Sequence, residues 1–322
     1  MIPRVSIITP IYNEESNIIK CYEQVINQTY NNIEWVVIND GSTDNSFKLL
    51  NDLKLLHVNP FVTIKIINQG NAGAAQARKN GIEQATGIFC CILDCDDQLS
   101  SDAITLAINE IDKDSDIDIV CFNVDYITNN ITLSKFDYKF DHWPISGRDA
   151  FKSTIDGWGV SGWFFFKKEI MIKATNDYQL KIGNNINDDE ILSRLCLYNS
   201  NKISICSGVY GYVNNLCSTT KKTNKYYYKV INTAVYLNDF VINNCIEMKF
   251  ESITNLVSNL WGVFLRSVRW EKELDNIEDW DTLLKNTISK ISKINCISMK
   301  HKKASFENII KILIIKIYLK FR

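Results

Sequence analysis

The chain has 322 residues, of which 46% are hydrophobic and 23% are charged. This composition is that of an ordinary folded globular protein, so it excludes a disordered chain and a bundle of membrane-spanning helices. The length exceeds what one compact domain usually needs, which predicts one large domain with an appendage.

The formal net charge of −1 hides an uneven distribution of charge along the chain. Residues 285–322 contain ten Lys and Arg against a single acid, Glu307, whereas the rest of the chain contains 26 basic and 36 acidic residues. This pattern predicts an acidic body with a basic tail. We expect no nucleic-acid partner.

The ten cysteines do not form any C-x-x-C pair, and three of them, Cys90, Cys91 and Cys95, lie in or beside an apolar run. The opening residues, MIPRVSIITP, lack the charged and apolar regions of a secretory signal. These features predict reduced, buried thiols in a cytoplasmic protein. The three histidines are widely separated in sequence, which argues against a histidine-based metal site.

The first 124 residues alternate apolar runs with segments of helical spacing. Strands are predicted at five places, residues 5–12, 33–40, 62–68, 88–94 and 116–124. The first helix is predicted to open at Asn13, which is a good capping residue. Strands that are apolar throughout and alternate with helices predict an α/β fold with a mainly parallel sheet, covered on both faces. Such sheets bind ligands beyond the carboxyl ends of their strands.

Acidic and aromatic residues follow three of these strands, namely Tyr12, Asp40 and the group Asp94, Asp96 and Asp97. Desolvating several carboxylates together is unfavourable unless a cation compensates them. Hard oxygen donors at this density suit Mg²⁺ or Mn²⁺, which would neutralise a diphosphate leaving group. The alternative is structural, with Asp94 ending the strand and the other two serving as turn or capping residues.

Four motifs occur in order at these strand ends, and they read TPIYNEE, VVINDGSTDNS, NAGAAQARKNGI and ILDCDD. Here the sequence resembles the family 2 glycosyltransferases, inverting enzymes with a GT-A (Rossmann-like) fold and nucleotide-sugar donors. The resemblance is close over residues 3–124 and looser to about residue 220.

The same resemblance implies a division of the chain. Residues 1–222 are expected to form the GT-A domain, with a nucleotide-sugar-binding half at 1–124 and an acceptor half at 125–222. Residues 223–322 are expected to form a helical C-terminal region that ends in the basic tail.

By resemblance, Pro10, Tyr12 and Glu14 lie around the nucleobase and ribose, with Tyr12 against the base. Asp40 would accept a hydrogen bond from a base N–H, and Arg78 would lie near the base or the diphosphate. Three of these residues also have a structural alternative. Tyr12 could pack at a strand end, Asp40 could hold an Asx turn, and Arg78 could be an ordinary exposed helix residue.

The three acids at 94–97 resemble the family's D-x-D region, in which one carboxylate contacts the ribose and the next binds the metal. We expect Asp94 on the donor and a Mn²⁺ or Mg²⁺ ion on Asp96 and Asp97, with Asp96 as the principal ligand.

Inverting transfer needs a carboxylate that takes the proton of the acceptor hydroxyl. The acids Asp188, Asp189 and Glu190 open a helical segment and resemble the family's acidic pair at a helix start, with Asp189 as base and Asp188 as its partner. The alternative is that acids in a first helical turn merely favour the helix dipole.

Residues 157–170 contain a literal G-x-G-x-x-G. A dinucleotide-binding fingerprint should follow a strand and open a helix, whereas here an aromatic run follows, so a dehydrogenase is not favoured. The segment resembles the family's acceptor side, where Trp158 and Trp163 would stack on a sugar ring or pack in the core. Residues 209–222 resemble the segment that closes over the donor, but Asn214, Asn215 and Ser218 stand where family members often have Arg or His.

The tail, residues 299–322, is basic and apolar, with lysines at 311, 316 and 320. It suits a helix lying in an anionic membrane interface, and we expect peripheral contact with the cytoplasmic face of the inner membrane. The alternatives are a terminal helix docked on its own domain or on a second subunit.

The resemblance therefore implies an inverting glycosyltransferase that moves a sugar from a nucleotide-diphosphate sugar to an acceptor hydroxyl. By the habit of the family, the acceptor would be a glycan or lipid-linked oligosaccharide in bacterial surface polysaccharide synthesis. Two alternatives remain. A nucleotidyltransferase usually has a glycine-rich basic loop near its first strand, which TPIYNEE lacks. A catalytically silent module that binds a sugar nucleotide or a glycan could use the same fold.

Overall fold

The structure is a computed structural model that describes residues 2–178, 186–214, 223–292 and 302–322. The chain forms two compact units and changes from one to the other after residues 153, 158, 184, 191 and 215. The first unit contains the sheet and the second is helical. The domain boundary at residue 222 stays a prediction.

The strands of the first unit form one sheet in the order β3-β2-β1-β4-β9-β6-β10-β5, with β7 paired to β6 and β8 to β10. Their bounds are β1 Val5–Ile11, β2 Ile33–Asp40, β3 Val62–Gln69, β4 Phe89–Ile92, β5 Gln98–Leu99, β6 Ile117–Thr128, β7 Ile131–Lys135, β8 Ile145–Ser146, β9 Phe164–Lys167 and β10 Lys202–Val213.

Helices accompany the strands of the first unit and make up most of the second. They are α1 Ile18–Ile26, α2 Ser46–Leu56, α3 Ala74–Gln84, α4 Ala103–Lys113, α5 Gly147–Ser153, α6 Lys168–Asp177, α7 Asp188–Asn199, α8 Val230–Asn244, α9 Lys249–Arg269, α10 Ile277–Ser292 and α11 Lys302–Phe321. The first turn of α7 belongs to the second unit.

The first four strands confirm the predicted α/β class. β3, β2, β1 and β4 are neighbours and all run parallel, because each is followed by a connection that returns the chain to the same end of the sheet. β6 and β10 are also parallel, and β9 lies antiparallel between β4 and β6. Every residue of β2 is buried, as expected for a strand covered on both faces.

The core of the first unit contains polar links that join neighbouring strands. Trp35 of β2 is fully buried, and its indole Nε1 donates a hydrogen bond to Thr9 Oγ1 of β1 at 2.9 Å. Cys90 and Cys91 of β4 are buried thiols, and burial raises the pKa of the Cys90 thiol to about 12. The thiols of β4 are therefore core residues, as the sequence predicted.

The second unit has its own core, formed where α8, α9, α10 and α11 meet. Trp280 is its largest fully buried side chain, and its Nε1 donates to the carbonyl oxygen of Lys225 at 3.0 Å. Within the described residues, none of the helices is both long enough and apolar enough to cross a membrane.

Candidate active site

Three strand ends meet at one edge of the sheet, as the sequence predicted. β1 pairs in parallel with β2 on one side and β4 on the other, with Ile11 opposite Asn39 and Ile8 opposite Ile92. The loops that follow these strands therefore lie side by side. This edge carries most of the residues that the sequence proposes for the donor.

The loop after β1 is fastened to the loop after β2 by hydrogen bonds. Asn13 Oδ1 accepts from the backbone N–H of Thr43 at 2.8 Å, and the N–H of Asn13 donates to Ser42 Oγ at 3.1 Å. One residue later, the N–H of Glu14 donates to Ser46 Oγ at 2.9 Å. These bonds give the edge a fixed shape.

The same bonds explain a wrong prediction. The first helix was expected to open at Asn13, but it begins at Ile18. Asn13 has a φ of 56°, in the left-handed region that a first helical turn cannot use. Its side chain therefore supports the neighbouring loop and does not cap a helix.

Pro10, Tyr12 and Glu14 lie on and just after β1. Pro10 is opposite Ile38 in the ladder, and Tyr12 is 48% exposed, so its ring is accessible. The carboxylate of Glu14 accepts a hydrogen bond from Asn17 Nδ2 at 2.6 Å. Burial raises the pKa of Glu14, and the nearby negative charges of the acids at 94 and 96 raise it further. Glu14 follows β1, the strand that pairs in parallel with β4, so it lies at the same sheet edge as the acids that follow β4.

Asp40 ends β2, and its carboxylate is occupied by the protein. Oδ1 accepts from Gln69 Nε2 and from the N–H of Ala72, both at 2.8 Å, and Oδ2 accepts from the N–H of Gly73 at 2.9 Å. The residue is only 3% exposed. Asp40 thus holds the loop before α3 through these hydrogen bonds, a structural role that the sequence did not predict. Its contact with a nucleobase stays a prediction.

The acids after β4 form a tight turn, here called the acid turn, at residues 94–97. The N–H of Asp97 donates to the carbonyl oxygen of Asp94 at 3.0 Å, which closes the turn. Arg78 of α3 places Nη2 at 2.8 Å from both carboxylate oxygens of Asp94. Arg78 therefore neutralises one of the clustered charges, which helps to make the cluster tolerable.

Asp97 points away from the surface and is bonded to β10. Its Oδ2 accepts from the hydroxyl of Tyr210 at 2.7 Å, and its Oδ1 accepts from the N–H of Val213 at 2.8 Å. Burial, followed by the charge of Asp94, raises the pKa of Asp97 to about 8. At neutral pH much of Asp97 is therefore uncharged, which further reduces repulsion within the turn.

The predicted metal ligands differ in what they can offer an ion. Asp96 is half-buried, whereas both oxygens of Asp97 are engaged by β10. In the described part of the chain, no three His, Cys, Asp or Glu side chains converge as a ready-made metal cluster. A Mg²⁺ or Mn²⁺ ion that binds with phosphate needs only one or two protein carboxylates. Asp96, the less buried of the two, is better placed to meet that requirement, and metal binding by either residue stays a prediction.

The two predicted acceptor tryptophans have different surroundings. Trp163 is partly buried against the core of the first unit, with its ring centroid 5.7 Å from that of Tyr210 and 5.1 Å from that of Tyr212. Trp163 thus packs on the tyrosine that holds Asp97. Trp158 is half-buried and belongs to the second unit. Stacking of either ring on a sugar stays a prediction.

The predicted base lies at a helix start, as expected. Asp188 and Asp189 are the first residues of α7, and this turn belongs to the second unit. Asp188 is 4% exposed, whereas Asp189 is exposed. Their catalytic roles stay predictions.

β10 is the part of the site that the sequence did not predict. Tyr210 and Val213 lie within GVYGYV, which was interpreted only as part of a segment closing over the donor. Just beyond it, Asn214 donates its N–H to the carbonyl oxygen of Ile127 at 2.7 Å. Asn215 and Ser218 lie outside the described residues. Alternating apolar residues were the one available signal for a strand here.

The chain is similar in sequence to known glycosyltransferases. The chain is 28% identical over 215 residues to the glycosyltransferase GlyG of Streptococcus pneumoniae, covering 65% of this chain and 70% of that protein. It is 28% identical over 288 residues to the chondroitin synthase of Pasteurella multocida, covering 86% of this chain but only 27% of that protein.

A solved structure has the same fold. The crystal structure of Staphylococcus aureus TarS 1–349 in complex with UDP matches with a TM-score of 0.66 and 17% identity, covering 97% of this chain and 88% of that chain. A likeness at this identity shows the fold alone. The family itself is shown by the sequence, since residues 6–173 match the description "Glycosyl transferase family 2", and the chain therefore belongs to that family.

Proposed function

We propose that the chain is an inverting glycosyltransferase that moves a sugar from a nucleotide-diphosphate sugar to an acceptor hydroxyl. The observation that carries the proposal is that the acid turn and the exposed Tyr12 follow neighbouring parallel strands at one sheet edge, inside the matched family region. Open parallel sheets bind ligands at such an edge.

The donor would lie across this edge. The accessible ring of Tyr12 suits a nucleobase, and Pro10 and Glu14 flank it. Arg78 forms an ion pair with Asp94 of the acid turn, where its positive charge could also face phosphate oxygens of the donor. The TarS structures in complex with UDP and with UDP-GlcNAc favour uridine nucleotides as the first donors to test.

A divalent cation would be held mainly by Asp96. When bound, Mg²⁺ or Mn²⁺ would neutralise the negative charge that develops on the departing diphosphate. Asp97 would position Asp96, because its hydrogen bonds to β10 fix the shape of the turn that carries Asp96.

The transfer is a single displacement. The acceptor oxygen forms a bond to the anomeric carbon as the bond from that carbon to the diphosphate oxygen breaks, and the nucleoside diphosphate leaves. Asp189 takes the hydroxyl proton. We favour Asp189 over Asp188 because it is exposed, and a base must reach the acceptor.

The acceptor is proposed to be a glycan or a lipid-linked oligosaccharide in bacterial surface polysaccharide synthesis. The chondroitin synthases of Pasteurella multocida and Escherichia coli among the relatives support a polysaccharide product. Trp158 and Trp163 are the aromatic side chains proposed for the acceptor side.

The test is turnover with nucleotide sugars and a panel of glycan acceptors. We expect release of a nucleoside diphosphate, a product of inverted anomeric configuration by NMR, and a loss of kcat of about 10²-fold or more in Asp189→Asn. The exposed Asp52→Asn on α2 is the matched control and should keep full activity.

Other outcomes would contradict the proposal. Release of pyrophosphate would indicate a nucleotidyltransferase, and binding without turnover would indicate a silent binding module. Retained anomeric configuration would exclude direct displacement.

A further inference from the structure

Helix α11 is apolar on two opposite faces. Its inner face carries Ile312, Ile315 and Leu319, which are buried in the core of the second unit. A terminal helix that only docked on its own domain would be polar on the other face. The outer face of α11 is therefore the feature to explain.

The outer face carries six large apolar side chains, here called the outer stripe. They are between 39% and 83% exposed, and they are Phe306, Ile310, Leu313, Ile314, Ile317 and Phe321. Their spacing of three or four residues puts them on one side of the helix, over a length of roughly 22 Å. Single exposed apolar residues are ordinary, but a contiguous stripe of this kind marks an interaction surface.

Lysines border the outer stripe. Lys316 and Lys320 lie between the inner face and the stripe on one side of the helix, and Lys311 lies on the other side. Lys316 and Lys320 also line an open groove of about 450 Å³ between α10 and α11, to which Lys285 and Ser289 contribute. A groove with three lysines at the border of an apolar stripe suits an anionic head group attached to an apolar chain.

The stretch of sequence that carries most of these lysines is strongly basic. Glu307 is the one acid in residues 285–322, against ten Lys and Arg. Burial raises the pKa of Asp281 of α10, and the charges of Arg322 and Lys285 oppose that rise. Asp281 also pairs with Arg322, with Nη1 to Oδ1 at 3.4 Å. Residues 285–322 thus keep a large net positive charge.

We infer that the outer stripe of α11 docks on the surface of an anionic phospholipid bilayer, with its apolar side chains among the acyl chains and its bordering lysines on the lipid phosphates. Charge favours this occupant over a second copy of the chain. A two-fold contact of stripe on stripe would bring the lysine borders of two helices together. The inference does not depend on the proposed function.

The test is sedimentation of the full chain with vesicles, of phosphatidylcholine alone or of equal parts phosphatidylcholine and phosphatidylglycerol. We expect binding to the anionic vesicles that weakens at high salt. Leu313→Gln with Ile317→Gln should lower the partition coefficient about tenfold or more. Lys316→Gln with Lys320→Gln should lower it about fivefold for each lysine.

The matched control is Leu55→Gln with Leu56→Gln, two exposed leucines at the end of α2, which should leave binding unchanged. All variants alter exposed side chains, so they should keep the melting temperature of the parent chain. Equal binding by the stripe variant and the parent would overturn the inference. Failure of the parent chain to bind anionic vesicles would also overturn it. Binding of inorganic phosphate without binding of vesicles would do the same. A dimer in sedimentation velocity that the stripe variant abolishes would show that the stripe binds a second copy of the chain.

Discussion

Tyr210 of β10 donates a hydrogen bond to Asp97 of the acid turn, with Oη at 2.7 Å from Oδ2. The same hydroxyl accepts from the N–H of Asp94 at 3.3 Å, and Trp163 stacks on the tyrosine ring. One fully buried side chain therefore holds two residues of the turn. The position of Asp96, which lies between them in sequence, depends on this contact.

Removal of the Tyr210 hydroxyl is the first test of this dependence. In Tyr210→Phe, Oδ2 of Asp97 loses its donor in a buried place, so the free energy of unfolding should fall by about 1–3 kcal/mol. We also expect weaker donor binding, because the turn is less firmly held. Urea unfolding and calorimetric titration would measure the two effects. Tyr212→Phe, on a more exposed ring of the same strand, is the control, and an equal loss in both variants would refute the specific role of Tyr210.

Stability should depend on pH through Asp97. Its pKa is about 8 in the folded protein, against about 3.9 for an exposed Asp. Between these values the folded state keeps a proton that the unfolded chain has released. The contribution of Asp97 to stability is thus complete below pH 4 or so and is lost as the pH rises through its folded pKa.

The measurement is the free energy of unfolding of the parent chain and of Asp97→Asn over this range. The difference between them should decline with rising pH, with a slope of at most about 1.4 kcal/mol per pH unit. A difference that stays constant, or that grows with pH, would show that Asp97 is already ionised in the folded protein.

The ion pair between Arg78 and Asp94 should matter more for the donor than for the fold. Both side chains are partly exposed, at 14% and 30%, so the pair adds modestly to stability. Arg78→Met should weaken binding of the nucleotide diphosphate about tenfold or more, because it removes a positive charge from the proposed diphosphate site. Lys79→Met, one residue on in α3, is the control. Equal affinities in titration calorimetry would remove Arg78 from the donor site.

Asp40 should hold the loop before α3. In Asp40→Asn one oxygen becomes an NH₂ group, which cannot accept from Ala72, Gly73 or Gln69, so at least one buried donor loses its partner. The expected cost is about 1–3 kcal/mol of stability, with faster hydrogen exchange at residues 69–73. The exposed Asp52→Asn serves as control. Unchanged exchange in that loop would show that these bonds do not maintain it.

Much of the first half of the fold follows from the sequence. β2 was predicted with its observed bounds, because a continuous apolar run that ends in a charged turn has few alternatives. Gly41 shows the limit of such reasoning. Its φ is +72°, and a Cβ there would lie 2.7 Å from the backbone nitrogen of Asn71. The close approach of two loops requires this glycine, and no local pattern reveals that contact.

The partners of the acids could not be predicted for the same reason. A D-x-D pattern identifies carboxylates, but it does not reveal which of them faces a distant strand. Asp97 is bonded to Tyr210 across 113 positions of sequence. Burial and partners are properties of the packed sheet, so they could not be read from the sequence, and metal binding by Asp96 or Asp97 stays a prediction.

The central claim is that the edge formed by Tyr12, Asp40 and the acid turn binds a nucleotide sugar. Its most direct test is the melting temperature of the full chain with UDP-, GDP- and dTDP-sugars, with and without Mn²⁺. Ligands that bind the folded state raise the melting temperature as their concentration exceeds Kd. The account predicts a concentration-dependent rise with at least one of these donors, larger when Mn²⁺ is present and reduced in Asp96→Asn. An unchanged melting temperature with every donor, with or without the metal, would contradict it.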